Sequence, residues 1–279
     1  MKNYDLVVLH RKLLDSVGWH VLRRSCKRLA YDFDDALMFK DSKSAQHYSR
    51  RRTSRFNRIV RGADFVIAGN EYLKTFAAKE NKRTSIIPTS IDMCRYEERP
   101  AKAASNQITL GWIGSRSTLF YLERMKHVWD ALYDRYPQLR LMIVSNAFFD
   151  CDRMPVTKKA WSYEEEIGDL HTFDIGVMPL TDDVWARGKC GFKLLQYMAV
   201  GVPAVCSPVG MNKEIVADGT NGFWAESEEE WVDKVGRLIE DPQLRADMGR
   251  RARETVIERY SAEVSSKKMV ELFTVMSAI

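Results

Sequence analysis

Two cations stand at the mouth of an apolar segment. The stretch KCGFKLLQYMAVGVPAVCSPVG, residues 189–210, places Lys189 and Lys193 around Gly191 and sets Gln196 one turn further on. Leu194, Leu195, Met198 and Ala199 recur at helical spacing, Gly201 and Pro203 stop the helix, and residues 204–206 restart the chain as a strand. A helix N-terminus carries about half a unit of positive charge and unpaired amides. Gly191 lets an anion approach the backbone closely. Lys193 adds a full charge in the first turn, and Gln196 shares its helical face. The arrangement suits a phosphate at the helix mouth and a polar ligand along the first turn. A solvated basic helix start uses the same residues.

Other candidates lie at strand ends. GWIGSRST, residues 111–118, is a second strand–turn–helix entrance, with Gly114, Ser115 and Arg116 at the C-terminal edge of a strand. A simple tight turn reads the same way. His10 and Arg11 follow the first strand, where crevices form in parallel sheets. His10 suits proton transfer; a surface loop pair is the alternative. In YDFDD, residues 31–35, Asp34 or Asp35 faces a cleft or caps a helix. A metal reading of these aspartates is rejected, because the segment ends a strand and no histidine accompanies it. Asn212 is placed to cap the segment KEIVADG, and Glu214 either contacts a ligand or simply complements the helix dipole.

The elements that position these residues alternate. Strands are expected at 5–9, 28–33, 64–68, 84–88, 108–114, 139–145, 173–180 and 204–206, with helices between them. One helix is expected at 45–60, one beginning after Asn70, and one continuous helix up to Tyr136. From Glu228 the chain reads as helical to its end, with breaks near Asp241-Pro242 and Ser261. A linker-like patch, RYEERPAKAASNQ at 95–107, divides two units. The chain has 279 residues and net charge +5; residues 1–100 hold 21 Lys+Arg against 12 Asp+Glu. Eight of those cations fall between Lys40 and Arg61, with Arg51, Arg55 and Arg58 on one helical face. That face is either solvated or docks on anionic lipid or an acidic acceptor. Base-reading modules are missing, so nucleic acid is not an expected partner. Five scattered cysteines indicate reduced thiols and a cytoplasmic protein, with peripheral contact at the inner face of the membrane through the basic helix. No apolar run is long enough to span a membrane.

FKLLQYMAVGVPAVCSPVGMNKEIVADGTNGFWA, residues 192–225, resembles the C-terminal domain signature of retaining glycosyltransferases of family four. YDFDDAL, ADFVIAGNEYL, IIPTSIDMCRY, LGWIGSRSTLFYL and FDIGVMPL agree with that family in the same order. The resemblance implies an α/β GT-B fold of two Rossmann-like domains facing a cleft. Residues 1–100 are the first, acceptor-side domain, shortened by about one βαβ portion. Residues 101–260 are the nucleotide-sugar-binding domain, and 261–279 form a helix returning toward the first domain. It further implies transfer of a sugar, with retention, from a nucleotide diphosphate donor to a glycan or lipid-linked acceptor, without cofactor or metal, in cell-envelope polysaccharide or glycolipid synthesis. Gly114, Ser115, Arg116, Lys189, Gly191, Phe192, Lys193, Gln196 and Glu214 are the expected donor-binding residues; His10, Asp34 and Lys193 are the expected catalytic ones. The family's motif carries two glutamates that fall here on Gly188 and Gln196, with Lys189, Asp182 or Asp183 as substitutes for the first. A non-catalytic nucleotide-sugar-binding or scaffold protein is the rival reading, and a nucleotide-sugar epimerase a weaker one.

Overall fold

A strand covered on both faces needs a continuous apolar run, and Phe65–Ala68 (β3) is buried at every position. The computed structural model describes residues 4–100 and 106–278. β3 lies in a parallel sheet with Val7–His10 (β1), Leu29–Phe33 (β2) and Thr84–Ile86 (β4), in the order β1-β2-β3-β4. The connecting helices are Ser16–Ser25 (α1), Arg50–Gly62 (α2) and Glu71–Ala77 (α3). Right-handed crossovers in a sequential order put all three on one face. That face packs Tyr31, Phe33, Val66 and Ala68 against Phe56, Ile59 and Leu73.

The second sheet is six-stranded and wholly parallel, in the order β10-β9-β8-β5-β6-β7. Its strands are Ile108–Ile113 (β5), Leu139–Ser145 (β6), Val156–Ala160 (β7), Ile175–Met178 (β8), Ala204–Cys206 (β9) and Gly222–Trp224 (β10). Leu119–Glu123 (α4), Lys126–Arg135 (α5), Glu166–His171 (α6), Phe192–Ala199 (α7), Asn212–Ile215 (α8), Glu228–Glu240 (α9) and Pro242–Arg259 (α10) complete this domain. One face is built around Trp112, Trp129 and Trp231; the latter two meet edge to face at 5.7 Å. The other face packs Leu194, Tyr197 and Phe173. Each such fully buried side chain contributes about 1.5–3 kcal/mol. Ala262–Ala278 (α11) runs back to the first sheet, where Leu272 and Phe273 cover Ala30 and Phe65.

Several local expectations need correction. α2 starts at Arg50, because Phe39 and Tyr48 pair in an antiparallel bridge and Ser49 caps the helix. The single helix ending near Tyr136 is two, broken at residues 124–125. β7 and β10 were not expected; β7 is a polar edge strand, where an exposed face and lysines guard against pairing. Asn212 does not cap α8 but is buried, donating from Nδ2 to the Ser207 carbonyl. The patch at 95–107 is not a free linker. Tyr96 is buried in the second domain's core, and Arg99 donates to the Phe173 carbonyl at 2.8 Å. Residues 101–105 of that patch lie outside the described residues.

A buried amide is one of several groups that join the domains. Asn70 caps α3, its Oδ1 accepting from Leu73 N–H at 2.8 Å. Its Nδ2 donates across the interface to the Gly188 and Lys189 carbonyls, each at 3.3 Å. Tyr72 donates to the Val184 carbonyl, and Ser42 to Asp183, each at 3.0 Å. A lost cap costs about 1 kcal/mol and an unpaired buried group about 1–3. Asn70→Ala should therefore cost about 2–4 kcal/mol in urea denaturation. Asn70→Asp keeps the cap but turns a carboxylate oxygen on two carbonyls, and should be at least as damaging. Wild-type stability in Asn70→Asp would refute the interdomain role.

Candidate functional site

Ligands bind open parallel sheets where strand order reverses, beyond the carboxyl ends of the strands. In the second sheet that point is between β5 and β8. A cavity of about 600 Å³ occupies it. Gly114 and Ser115 follow β5, Asn146 follows β6, Trp161 follows β7, and Met178 ends β8; all line the cavity. Arg11, Asp34 and Asp35 close it from the first domain.

The start of α7 forms the floor. Gly191 is left-handed at φ 71° and serves as the cap residue; among the described residues no side chain caps the first-turn amides. These N–H groups are available to an anion. The positive φ at Gly191 favours glycine, and a Cβ there would lie 2.3 Å from Ile215 Cδ1, so that side chain would have to shift. The Lys193 stem passes Gly114, where a Cβ would come within 2.6 Å of its Cε. Its ammonium rests 5.6 Å from the centre of the Trp112 ring. Burial, and then repulsion from Lys189, lower the Lys193 pKa to about 7; Asp35 opposes this. Phe192 is half exposed at the cavity wall.

Gln196 is oriented by a chain of hydrogen bonds. Buried Glu166 accepts from Tyr96 O–H at 2.6 Å and from Trp161 Nε1–H at 2.8 Å, and pairs with Arg95 at 3.3 Å. A carboxylate only accepts, so Tyr96 must give it the hydroxyl proton. The Tyr96 oxygen is then an acceptor, and Gln196 Nε2 donates to it at 3.1 Å. The Gln196 amide is thereby fixed, leaving its carbonyl oxygen to accept from a ligand hydroxyl. A carboxylate at position 196 could not donate to Tyr96 and would add a second negative charge beside Glu166.

The structure brings Gly114, Ser115, Lys189, Gly191, Phe192, Lys193, Gln196 and Asp34 together around this cavity, and leaves others apart. Arg116 is exposed and lines neither large cavity; its backbone N–H donates to Asn146. Glu214 is exposed outside the cavity. His10 pairs with Asp32 at 2.9 Å on the opposite face of the first sheet, in a separate pocket beside α11. His10 lines neither of the two larger cavities, although its pocket shares Asp34 and Thr89 with the first. Asp34 is held by Arg11 at 3.0 Å. Asp35 also pairs with Arg11, and lines both this cavity and a second one. Burial raises the Asp35 pKa, while Lys189 and Arg11 pull the other way.

Gly188, where the family's first glutamate falls, is pressed against the first domain. A Cβ there would lie 2.6 Å from Ala36 Cβ. Asp182 and Asp183 do not replace that glutamate. Asp182 pairs with Arg187, and Asp183 accepts from the Trp185 and Ala186 amides. The basic face of α2 is also divided. Arg58 reaches Ser16 and Leu14 beside α1, whereas Arg51 and Arg55 line the second cavity between the domains. Glu166, Tyr96, Trp161 and Asn146 had not been singled out. The position of Asn146 after the apolar run 139–145 was the one usable signal; Glu166 sat in the run YEEEIG, which reads as a solvated face.

Residues 162–255 match the family model for glycosyl transferases group 1. N-acetyl-alpha-D-glucosaminyl L-malate synthase of Bacillus anthracis is 36% identical over 75 residues, which are 26% of this chain and 20% of that protein. D-inositol 3-phosphate glycosyltransferase of Corynebacterium urealyticum is 29% identical over 112 residues, covering 39% of this chain and 25% of the relative. The chain thus aligns with a quarter or less of the length of these two relatives. Among solved structures, sucrose-phosphate synthase from Thermosynechococcus elongatus superposes with a TM-score of 0.77 at 17% identity, over 99% of this chain and 74% of that one. Anabaena HepE in complex with UDP gives 0.73 at 18%, over 99% and 79%. The fold is that of the GT-B glycosyltransferases, and among the described residues the first domain has four strands against six in the second.

The hydrogen-bond chain makes residues 166 and 196 interdependent. Gln196→Glu should destabilise the protein by about 1–3 kcal/mol. Adding Glu166→Gln reverses the direction of the chain: the new amide at position 166 donates to Tyr96, and Tyr96 donates to the new carboxylate at position 196. A double-mutant cycle by chemical denaturation should show about 1–2 kcal/mol of favourable coupling. Additive effects would mean that the two residues do not communicate through Tyr96.

Proposed function

We propose that this chain, whose residues 162–255 belong to the glycosyl transferases of group 1, transfers a sugar from a nucleotide diphosphate donor to an acceptor hydroxyl, with retention of configuration. The observation that carries this is the cavity at the strand-order reversal, with the open start of α7, Lys189 and Lys193 at its floor. The bond between the anomeric carbon and the diphosphate oxygen breaks, and its electron pair stays with the diphosphate. The acceptor hydroxyl oxygen bonds to the same carbon, and its proton passes to the leaving diphosphate. Charge therefore grows on the diphosphate as the bond breaks, where preorganised donors and cations act most strongly. In this proposal Lys193, Lys189 and the α7 amides supply that stabilisation and no resident metal is required. The Gln196 carbonyl accepts from a ribose hydroxyl.

The acceptor approaches through the cleft between the sheets, and Asp35, shared by both cavities, orients its hydroxyl. His10 is left out of the reaction because of its place beside α11. A glycan or lipid-linked acceptor is in keeping with the alpha-monoglucosyldiacylglycerol synthase of Acholeplasma laidlawii, 21% identical over 220 residues, 72% of this chain and 55% of that protein. Among the described residues no helix is long and apolar enough to cross a membrane. The binding-protein reading draws on Gly188, which provides no carboxylate toward the donor sugar.

A thermal-shift series with UDP, GDP, ADP and their sugars tests the donor site. At a ligand concentration about 100 times Kd, binding stabilises by about 2.7 kcal/mol, a shift of a few degrees. No shift with any of them sinks the proposal. Turnover of the stabilising sugar nucleotide, lost in Lys193→Ala, separates an enzyme from a binding protein.

Lys193 sets a pH dependence. The free protein loses the ammonium proton above about pH 7, and a bound diphosphate favours the charged form. Affinity should be fully present below about 7 and fall by up to about tenfold per unit as pH rises above it. Lys193→Ala should bind more weakly and with a flat profile from about pH 7 to 9 in calorimetric titration. An equally steep profile in Lys193→Ala would assign the dependence to another group.

A further inference from the structure

The second cavity carries a charge that donor binding does not use. It holds about 830 Å³ between the domains, and shares Arg11, Asp35, Ser115 and Lys189 with the first. Five cationic side chains, Arg11, Arg51, Arg52, Arg55 and Lys189, meet only two carboxylates there, Asp35 and Asp41. Arg11 is committed to Asp34 and Asp35. Arg52 donates to the Phe39 carbonyl at 3.1 Å, and Arg55 to the Leu13 carbonyl at 3.5 Å. Carbonyls position these guanidinium groups without neutralising them. Arg51 is exposed and, among the described residues, makes no ion pair. All three project from the first turns of the 13-residue helix α2, whose N-terminal dipole adds to their field.

The facing wall is aromatic. Phe120, Tyr121 and Trp185 line it, and the Phe120 and Tyr121 rings lie 4.0 Å apart. Lys189 sits 6.0 Å from the Tyr121 ring centre and 5.8 Å from that of Trp185. Electron-rich ring faces pack against the weakly positive C–H groups of a sugar or cyclic polyol. Guanidinium forks match the oxygens of a phosphate. One wall thus suits a ring and the other an anion, with Asp35 between this cavity and the donor's.

We propose that this cavity holds the acceptor, and that the acceptor is a phosphate-bearing sugar or polyol. Its phosphate sits on Arg51 and Arg55, and its ring lies against Phe120, Tyr121 and Trp185. The assignment of the bound molecule as acceptor rests on the glycosyltransferase reading; the recognition of a phosphate does not. The same chemistry is presented by a free sugar phosphate and by a phosphodiester lipid headgroup.

Two binding arms separate those sources. In the first, calorimetry compares glucose 6-phosphate with glucose. In the second, sedimentation compares phosphatidylglycerol with phosphatidylcholine vesicles. Wild-type protein should prefer the anionic probe by at least about tenfold in one arm, and more weakly as salt is raised. Arg51→Ala/Arg55→Ala should abolish that preference, Arg51→Lys should retain most of it, and Lys193→Ala should leave it intact. Nucleoside diphosphate binding should respond in the opposite order. Far-UV circular dichroism checks the fold of each variant. A preference in the first arm identifies a soluble acceptor, and one in the second a lipid headgroup; both support phosphate recognition. Equal binding of charged and neutral probes in both arms overturns the proposal. So does a preference that survives Arg51→Ala/Arg55→Ala. Loss of nucleotide stabilisation with the phosphate preference intact would instead sink the donor reading alone.

Discussion

A buried amide ties the two sides of the site together. Asn70 is 2% exposed, caps α3 with its oxygen, and ties down two carbonyls of the other domain with its nitrogen. Those carbonyls belong to residues 188 and 189, immediately before α7. The contact seats Gly188 against Ala36, and lets Cys190 Sγ reach the Asp34 carbonyl at 3.2 Å. Lys189 is delivered to the junction of both cavities, and α7 begins shortly after it. A polar group buried without partners costs free energy, so each half of the amide enforces the other. The cationic floor of the first cavity is therefore tied to a helix cap in the opposite domain.

Around that clamp the charges are arranged in opposition. Burying an ammonium is unfavourable, and the depressed pKa of Lys193 expresses that cost. Under the proposed function, a bound diphosphate would offset that cost. On the far side of the cavity Glu166 is fully engaged by Tyr96, Trp161 and Arg95. Its role is to orient Gln196 through Tyr96 rather than to face a ligand as a free carboxylate. The amide at 196 follows from this network: with one carboxylate already taking the Tyr96 proton, the neighbouring position needs a donor.

Parts of the fold were legible because local chemistry specifies them. Strands such as β3 and β8 are covered on both faces, and so read as unbroken apolar runs. Asn70 was visible as a cap from its position before EYLKTF. β7 was not, because an edge strand with one open face carries lysines and no apolar run. The residues 95–99 read as linker because they are mostly charged, yet Tyr96 is buried by Glu166 and Gln196, 70 and 100 positions away. Arg116 was drawn into the site by its turn, and Glu214 by its place after the glycine loop, but neither side chain lines the cavity. His10 stood at a strand end as expected, yet successive strand residues face opposite sides, and its side falls beside α11.

The sequence by itself determined the alternating α/β architecture, the helix mouth at Gly191 with its two lysines, and the absence of carboxylates at 188 and 196. These are matters of residue type and of periodicity, which near neighbours set. Only the tertiary structure decided which cations meet a cavity, which face of α2 turns inward, which way the Gln196 amide points, and that Asp35 joins two cavities. Charge environment, burial and hydrogen-bond direction depend on groups brought together from distant parts of the chain. No local pattern encodes them, because each exists only once the two domains are brought together.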